Sequence, residues 1–223
     1  MNKVFYLFLL VSIISSYNGI CRKIEISSPD KQILFTLQIN NGSPEYSIKY
    51  KSTDIIKASP LSLEFDGFSF RNWKILKPSY YQSFDDYELI TGKSSKVHDA
   101  YSEIVIPFIQ NTPSRYKINL IVRAFNDGFA FRYSFPEQAN WKDYILKDEH
   151  STFKFIEDPI VHALLLPSFT TSHEGYYTTA HLSGIKEDTL MDMPTLFELP
   201  GNIFVAITEA ALLNYAGMYL VKH

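Results

Sequence analysis

The stretch YKINLIVRAFNDGFAFRYSF, residues 116–135, decides the fold class of this chain. Apolar and polar side chains alternate on both sides of Asn126-Asp127-Gly128, and this period of two is typical of half-buried β-strands. A turn-forming cluster between two such runs predicts a β-hairpin, in which Asp127 is a turn residue and not a catalytic acid. Arg123 and Arg132 flank the turn, and we interpret both as structural.

The same alternation continues along most of the chain after Lys23. It recurs in KIEISSPD, ILFTLQIN, YSIKYKS, PLSLEF, SEIVIPF, STFKFIE and NIFVAITEAAL, which are separated by turn-forming residues. Roughly a dozen short strands and no amphipathic helix longer than two turns predict an all-β antiparallel sandwich in one domain. The final MYLV is typical of the start of a strand, so we expect either an edge strand there or a domain whose C-terminal strands are missing.

Composition excludes some classes of partner. The chain has 223 residues, of which 46% are hydrophobic and 20% charged, with a formal net charge of -3. Because it has no basic excess and no basic cluster, nucleic acid is not an expected partner. The 15% aromatic content suits β-strands, and it also suits sugar sites in which rings stack on apolar sugar faces. Composition alone does not choose between these two uses.

The N-terminus has the features of a secretory signal. Lys3 precedes the apolar run Val4 to Ile14, which is too short to span a bilayer, and Gly19-Ile20-Cys21 offers a cleavage site. We therefore expect a signal peptide at residues 1–21 and a domain at residues 22–223, with cleavage after Ser16 as the alternative. The expected location is the periplasm or cell surface of a Gram-negative bacterium, without a membrane span. Cys21 is the only cysteine, so the mature chain is expected to lack disulfides.

The stretch SHEGYYTTAHLSGI, residues 172–185, differs from the rest because it has no regular period. Glu174 is the candidate functional residue in it. A solvated loop carboxylate is the plain interpretation, and a ligand aimed at a metal or sugar is the functional one. His173 and His181 flank Glu174 without His-x-His or His-x₃-His spacing, which disfavours zinc.

Two pairs of adjacent residues could be mistaken for functional pairs. Neighbouring residues of a strand point to opposite faces of the sheet. We therefore expect at most one of Tyr176 and Tyr177 to stack on a sugar, and we do not expect Asp85 and Asp86 to form a catalytic carboxylate pair.

Glu209 is a candidate buried charge. In VAITEAAL the alternation places Glu209 on the same face as Val205 and Ile207. An inward glutamate needs a partner. We favour an ion pair with Arg123 or Arg132 over a position at an interface.

Three segments together resemble a known family. They are SSPDKQILFTLQINNGSPEYSIKYKSTDIIKASPLSLEF (27–65), RAFNDGFAFRYSFPEQ (123–138) and NIFVAITEAALLNYAGMYL (202–220). In order and spacing they are similar to the N-terminal domain of glycoside hydrolase family 97, a family of bacterial α-glucosidases and α-galactosidases. The segment around Tyr87 and His98 departs from the family pattern, which tends to have tryptophan at the first position and an Arg-Asn-His run at the second.

The resemblance implies a β-super-sandwich like that of galactose mutarotase, packed against a (β/α)₈ barrel that holds the catalytic carboxylates. No catalytic residue is therefore expected among these 223 residues. ALLLPSFTTSHEGYYT (163–178) resembles a family loop whose glutamate reaches across the interface to a calcium ion, and Glu174 falls on that ligand. Calcium takes six to eight oxygen ligands, so the resemblance implies that the others lie in the barrel.

The expected function is that of the N-terminal sandwich of an exported, calcium-dependent α-glycosidase that acts on an α-linked oligosaccharide. The chain would brace the barrel, donate Glu174 and be inactive alone. A stand-alone secreted carbohydrate-binding or adhesion module is the alternative. A mutarotase-like epimerase would need a paired histidine and glutamate, and the histidines show no such arrangement in the sequence: His98, His150, His162, His173, His181 and His223.

Overall fold

The computed structural model describes residues 23–213 and 215–223. The predicted signal peptide, with Cys21, lies outside these residues. The described part of the chain is built from antiparallel β-strands and one 3₁₀ turn, Leu182–Gly184, which confirms the predicted all-β class. No helix in this part is both long enough and apolar enough to cross a membrane.

The strands fall into two successive groups. The first group comprises β1 (Ile24–Ser27), β2 (Ile33–Asn40), β3 (Ser43–Tyr50), β4 (Thr53–Pro60), β5 (Leu63–Phe65), β6 (Trp73–Ile75), β7 (Ser79–Glu88), β8 (Lys96–Gln110), β9 (Lys117–Phe125) and β10 (Phe129–Ser134). The second comprises β11 (Leu146–Glu149), β12 (Ile160–Ala163), β13 (Leu165–Leu166), β14 (Thr178–His181), β15 (Leu190–Met191), β16 (Thr195–Leu199), β17 (Ile203–Ile207) and β18 (Leu220–Val221).

Two sheets of the first group face each other across an aromatic core. One has the order β1-β2-β3-β4 and the other β10-β9-β8-β6, with β7 also paired to β8. β1 and β2 contact β8 and β9 across the gap. Phe35 and Tyr46 stack with ring centroids 5.6 Å apart, and Phe129 from the other sheet contacts both rings. Large rings therefore fill the space between the layers, as expected for a sandwich.

The second group extends the same core. Its sheets have the orders β14-β12-β16-β17, β13-β15-β18 and β11-β5, and β18 is the MYLV strand at the edge of the three-stranded sheet. Phe155 and Phe197 meet at 4.6 Å and lie in the same buried cluster as Phe35. A smaller cluster of Leu164, Leu166 and Leu190 packs against Tyr219 beneath the loop that carries Glu174.

The hairpin of residues 116–135 forms as predicted. β9 and β10 pair from Phe129 opposite Ala124 to Ser134 opposite Asn119, and the Phe125 N–H donates to the Gly128 carbonyl at 2.8 Å across the turn. Asn126 Oδ1 accepts a hydrogen bond from the Asp30 N–H at 3.0 Å. The turn is thereby joined to the Ser-Pro-Asp loop, so two of the segments that carry the family resemblance touch in the fold.

The predicted strand STFKFIE is wrong. Backbone hydrogen bonds join Thr152 to Pro60 and Ile156 to Ile55 of β4, but only Phe155 forms a β-bridge, to Ile56. The pairing is irregular because the Lys154 N–H donates to the Ser59 hydroxyl instead of a backbone carbonyl. The alternation in this segment reflects burial of Phe155 in the core and not a regular ladder.

β7 and the half of β8 that pairs with it form a hairpin that we call the β7–β8 arm, residues 79–105, and from Tyr101 onward β8 also pairs with β9. β7 has no second partner strand among the described residues. Nine of its ten residues are exposed, and they lie on both faces of the strand. Asp85 and Asp86 lie on this arm as adjacent strand residues, which fits the expectation that they do not form a catalytic pair.

Candidate functional site

Glu174 lies in the loop that joins β13 to β14. The loop, residues 167–177, contains no regular secondary structure, and the Glu174 side chain is exposed. Its carboxylate makes no hydrogen bond or ion pair with any residue that the structure describes. An exposed carboxylate without a partner is free to bind a cation or a further protein surface.

His173, by contrast, is anchored to the fold. Its backbone has a φ of 57°, in the left-handed region, and its Nδ1 lies 2.9 Å from Oδ2 of Asp192. Its ring stacks on Tyr219 with the centroids 6.1 Å apart. In residues 23–213 and 215–223, no three histidine, cysteine or acidic side chains converge in a way that could hold a metal ion. His173 is thus held in the loop by Asp192 and Tyr219.

The tyrosines that follow are both open to solvent. Tyr176 and Tyr177 lie in the loop before β14 begins at Thr178, and 98% and 64% of their surfaces are exposed. The prediction that strand geometry would turn them to opposite faces is wrong, because neither residue is in a strand. Both rings are therefore available, together with the exposed Phe169 in the same loop.

Glu209 is not the inward carboxylate that the alternation predicts. β17 ends at Ile207, so Glu209 follows the strand and is exposed. Its Oε2 accepts a hydrogen bond from the Met218 N–H at 2.9 Å, which closes the loop before β18. Arg123, one of the two partners predicted for it, instead donates from Nε to Glu103 at 2.6 Å.

The Arg123–Glu103 pair joins β9 to β8 on neighbouring strands, where the two residues are directly opposite. The guanidinium also lies over the ring of Tyr101, 4.3 Å from its centroid. The hydrogen bond to Glu103 raises the pKa of Arg123. The structural interpretation of Arg123 is correct.

Sequence reasoning missed that histidines pair with carboxylates. Five of the six histidines have such a partner, at distances between 2.5 and 3.6 Å. The pairs are His98 with Asp86, His150 with Glu64, His162 with Glu198, His173 with Asp192 and His181 with Asp158. The partners lie between 12 and 86 residues apart in sequence, so no local spacing could have revealed them.

Asp158 in one of these pairs is also held by the 3₁₀ turn. The hydroxyl and the backbone N–H of Ser183 donate to its two carboxylate oxygens at 2.7 and 2.8 Å. These bonds lower the pKa of Asp158. The His181–Asp158 pair is therefore a surface contact at the 3₁₀ turn, and His181 lies at the end of β14, which follows the Glu174 loop.

Two shallow cavities lie away from the Glu174 loop. One, of about 400 Å³, is lined by Phe135, Pro136, Glu137, Gln138, Trp141, Lys142 and Tyr144. The other, of about 290 Å³, lies between β4 and β17 near Ile55 and Ile203. No histidine lines either cavity, so neither provides the histidine–glutamate pair that a mutarotase-like reaction would need.

Comparison with known protein families shows to which family this chain belongs. The sequence profile of the glycosyl-hydrolase 97 N-terminal family matches residues 26–223. The chain belongs to this family. The family 97 resemblance of the three sequence segments is thereby confirmed.

Relatives of this family 97 domain are glycosidases. A retaining alpha-galactosidase of Bacteroides thetaiotaomicron is 28% identical over 234 residues, which cover 99% of this chain and 33% of that protein. A family 97 enzyme from Pseudoalteromonas sp. strain K8, solved as an arginine-to-lysine variant, superposes with a TM-score of 0.83 at 25% identity over 90% of this chain and 30% of that one. The same enzyme has been solved with acarbose, with a TM-score of 0.82 at 26% identity over the same shares of the two chains.

A beta-arabinopyranosidase shares the fold, with a TM-score of 0.74 at 22% identity over 82% of this chain and 31% of that one. The family 97 domain thus spans about a third of the length of the proteins it matches.

Proposed function

We propose that this domain is the N-terminal sandwich of an exported, calcium-dependent α-glycosidase and that Glu174 supplies one ligand to the calcium. The observation that carries the proposal is the state of Glu174, an exposed carboxylate without a partner in a domain of family 97. Export is proposed from the signal-like residues 1–21, with the periplasm or cell surface as the destination.

The chemistry of Glu174 fits calcium. Ca²⁺ prefers carboxylate oxygens, and a carboxylate on an irregular loop can reach outward in a way that a strand residue cannot. Among the described residues, no group of three or more histidine, cysteine or acidic side chains could hold a metal ion. One carboxylate does not make a calcium site, so the remaining ligands are proposed to come from a catalytic barrel of the same enzyme.

In this account the sandwich braces the barrel and has no activity alone. One relative is named an alpha-galactosidase and another has been solved with acarbose, whereas the structure at 22% identity is named a beta-arabinopyranosidase. We propose an α-linked oligosaccharide as the substrate of the assembled enzyme. The exposed rings of Phe169, Tyr176 and Tyr177 beside Glu174 would contact the barrel or the sugar.

Calcium titration of a fusion protein tests this proposal. In the fusion, residues 23–223 replace the third of the Bacteroides enzyme that they match. Glu174→Gln is expected to weaken calcium binding by at least about tenfold, because it removes a charged ligand. Glu25→Gln is the matched control, since Glu25 is also an exposed carboxylate without a partner among the described residues. Equal affinities in both variants would exclude Glu174 as a ligand, and calcium binding tighter than about 1 μM by the chain alone would exclude a shared site.

The cavity beside Trp141 favours a second candidate, a carbohydrate-binding module that acts by itself. Its floor is aromatic, and Glu137 and Lys142 at its rim make no hydrogen bond or ion pair with other described residues. Rings with nearby polar groups suit neutral sugars. Sugar affinity in the isolated chain that depends on Tyr144 would favour this function over the first.

A further inference from the structure

We infer that His173, Asp192 and Leu164 form a clamp that fixes the backbone on both sides of Glu174, so that the base of its side chain is held in place before any ion binds. The inference rests on the proposed function, because it assigns positioning residues to the proposed calcium ligand.

Asp192 is the rigid part of the clamp. Its N–H donates to the Leu164 carbonyl at 2.9 Å, its carbonyl accepts from the Thr195 hydroxyl at 2.6 Å, and its Oδ1 accepts from the Met193 N–H at 2.9 Å. Thr195 is fully buried. With three of its polar groups bound to the fold, Asp192 offers its remaining oxygen, Oδ2, to His173 at 2.9 Å.

The residue before Glu174 is held by this oxygen and by a ring contact. The His173 ring stacks on Tyr219, which packs against the buried leucine cluster of Leu164, Leu166 and Leu190. The φ of 57° at His173 is uncommon for a residue with a side chain, and such a conformation persists where the surroundings hold it. Two separate contacts therefore fix the conformation on the N-terminal side of Glu174.

The residue after Glu174 approaches the same leucine. A Cβ atom at Gly175 would lie 2.9 Å from Cδ1 of Leu164, so any larger residue there must displace that side chain. Leu164 is 8% exposed and belongs to the leucine cluster. Both neighbours of Glu174 thus converge on the Leu164–Asp192 unit, while Glu174 itself points to solvent without a partner.

This combination is what a pre-positioned ligand requires. Surrounding groups that orient a metal ligand commonly change metal affinity by about 10- to 100-fold when they are removed. A carboxylate that served only solubility would gain nothing from anchored neighbours. The clamp reduces the loss of chain entropy when Glu174 meets an ion and its other ligands.

Backbone order in the ¹⁵N-labelled chain tests the clamp without any metal or fusion. Order parameters near 0.85 are expected at Glu174 and Gly175, and values below about 0.6 are expected in His173→Ala. His181→Ala is the matched control, because it removes an exposed histidine from a different aspartate, Asp158. His173→Asn should restore part of the order, since asparagine tolerates a positive φ and can donate to Asp192. Unchanged order at Glu174 in His173→Ala would overturn the clamp.

Calcium titration of the fusion protein distinguishes the positioning role of the clamp from the proposed role of Glu174 as a calcium ligand. If the clamp positions the ligand, His173→Ala weakens calcium binding by about tenfold or more, and His181→Ala does not. A loss in Glu174→Gln without a loss in His173→Ala would overturn the positioning role and leave the proposed function standing. Loss of order in His173→Ala with no effect of Glu174→Gln on calcium would overturn the proposed function and leave a purely structural clamp.

Discussion

At the scale of single residues, Tyr46 shows how one side chain joins several parts of this fold. Its ring is 1% exposed and contacts Phe35, Phe129, Phe131 and Phe153. Its hydroxyl donates to the Thr152 carbonyl at 2.8 Å, in the segment beside β4. Burial raises the pKa of Tyr46 above its ordinary value of 10.0, since a phenolate would be desolvated in this core.

This raised pKa predicts loss of stability in alkali. The unfolded chain releases the Tyr46 proton from about pH 10, whereas the folded chain retains it, so its contribution is complete below pH 10 and declines as the pH rises further. The free energy of unfolding should therefore fall between about pH 9.5 and 11, where Tyr46 adds a slope of up to about 1.4 kcal/mol per pH unit. Tyr46→Phe should flatten the decline in urea unfolding measured across that range. Identical slopes for the two proteins would contradict the assignment.

At the scale of elements, the β7–β8 arm is the least integrated part of the domain. Tyr80, Tyr81, Phe84 and Tyr87 are each at least 45% exposed, and no ring contact joins them to other described residues. The part of β8 that also pairs with β9 is different, since Ile104 and Ile106 are fully buried between the two sheets. One strand thus runs from the core into solvent.

Alanine substitutions on either side of this boundary should differ sharply in effect. Phe84→Ala is expected to change the free energy of unfolding by less than about 0.5 kcal/mol, because the ring is 74% exposed. Ile106→Ala should cost about 2–5 kcal/mol through the cavity it leaves. Chemical denaturation of the two variants measures both values. A loss above about 2 kcal/mol in Phe84→Ala would mean that the arm packs against the domain in solution.

At the scale of the whole molecule, sequence predicted the parts of the fold that depend on local alternation. β2 coincides with ILFTLQIN and the 116–135 hairpin forms at its predicted turn, because one face of each is buried and the period of two is strict there. β4 and β7 were not predicted as strands, since β7 is exposed on both faces and β4 is irregularly paired with β3. A strand without a single buried face has no alternating signal to read. β12 and β16 were also missed although they alternate, because runs of four and five residues are too short to distinguish a strand by period alone.

The residues of the candidate site also differ in whether the sequence could predict their role. Family resemblance indicated Glu174, and the structure leaves this residue exposed in a loop. The contact between His173 and Asp192 joins residues 19 positions apart on different elements, so it emerged only from the folded chain. Glu209 failed as an inward charge because the strand ended two residues before it, a boundary that alternation does not mark.

We propose that Glu174 is a calcium ligand supplied to a site completed outside this domain. A crystal structure of the calcium-loaded fusion protein tests it most directly, through the distance from the ion to the Glu174 carboxylate. A Glu174 oxygen is expected within about 2.3–2.6 Å of the ion, with the other oxygens contributed by the barrel. A calcium ion with a complete oxygen shell that excludes Glu174 would contradict it.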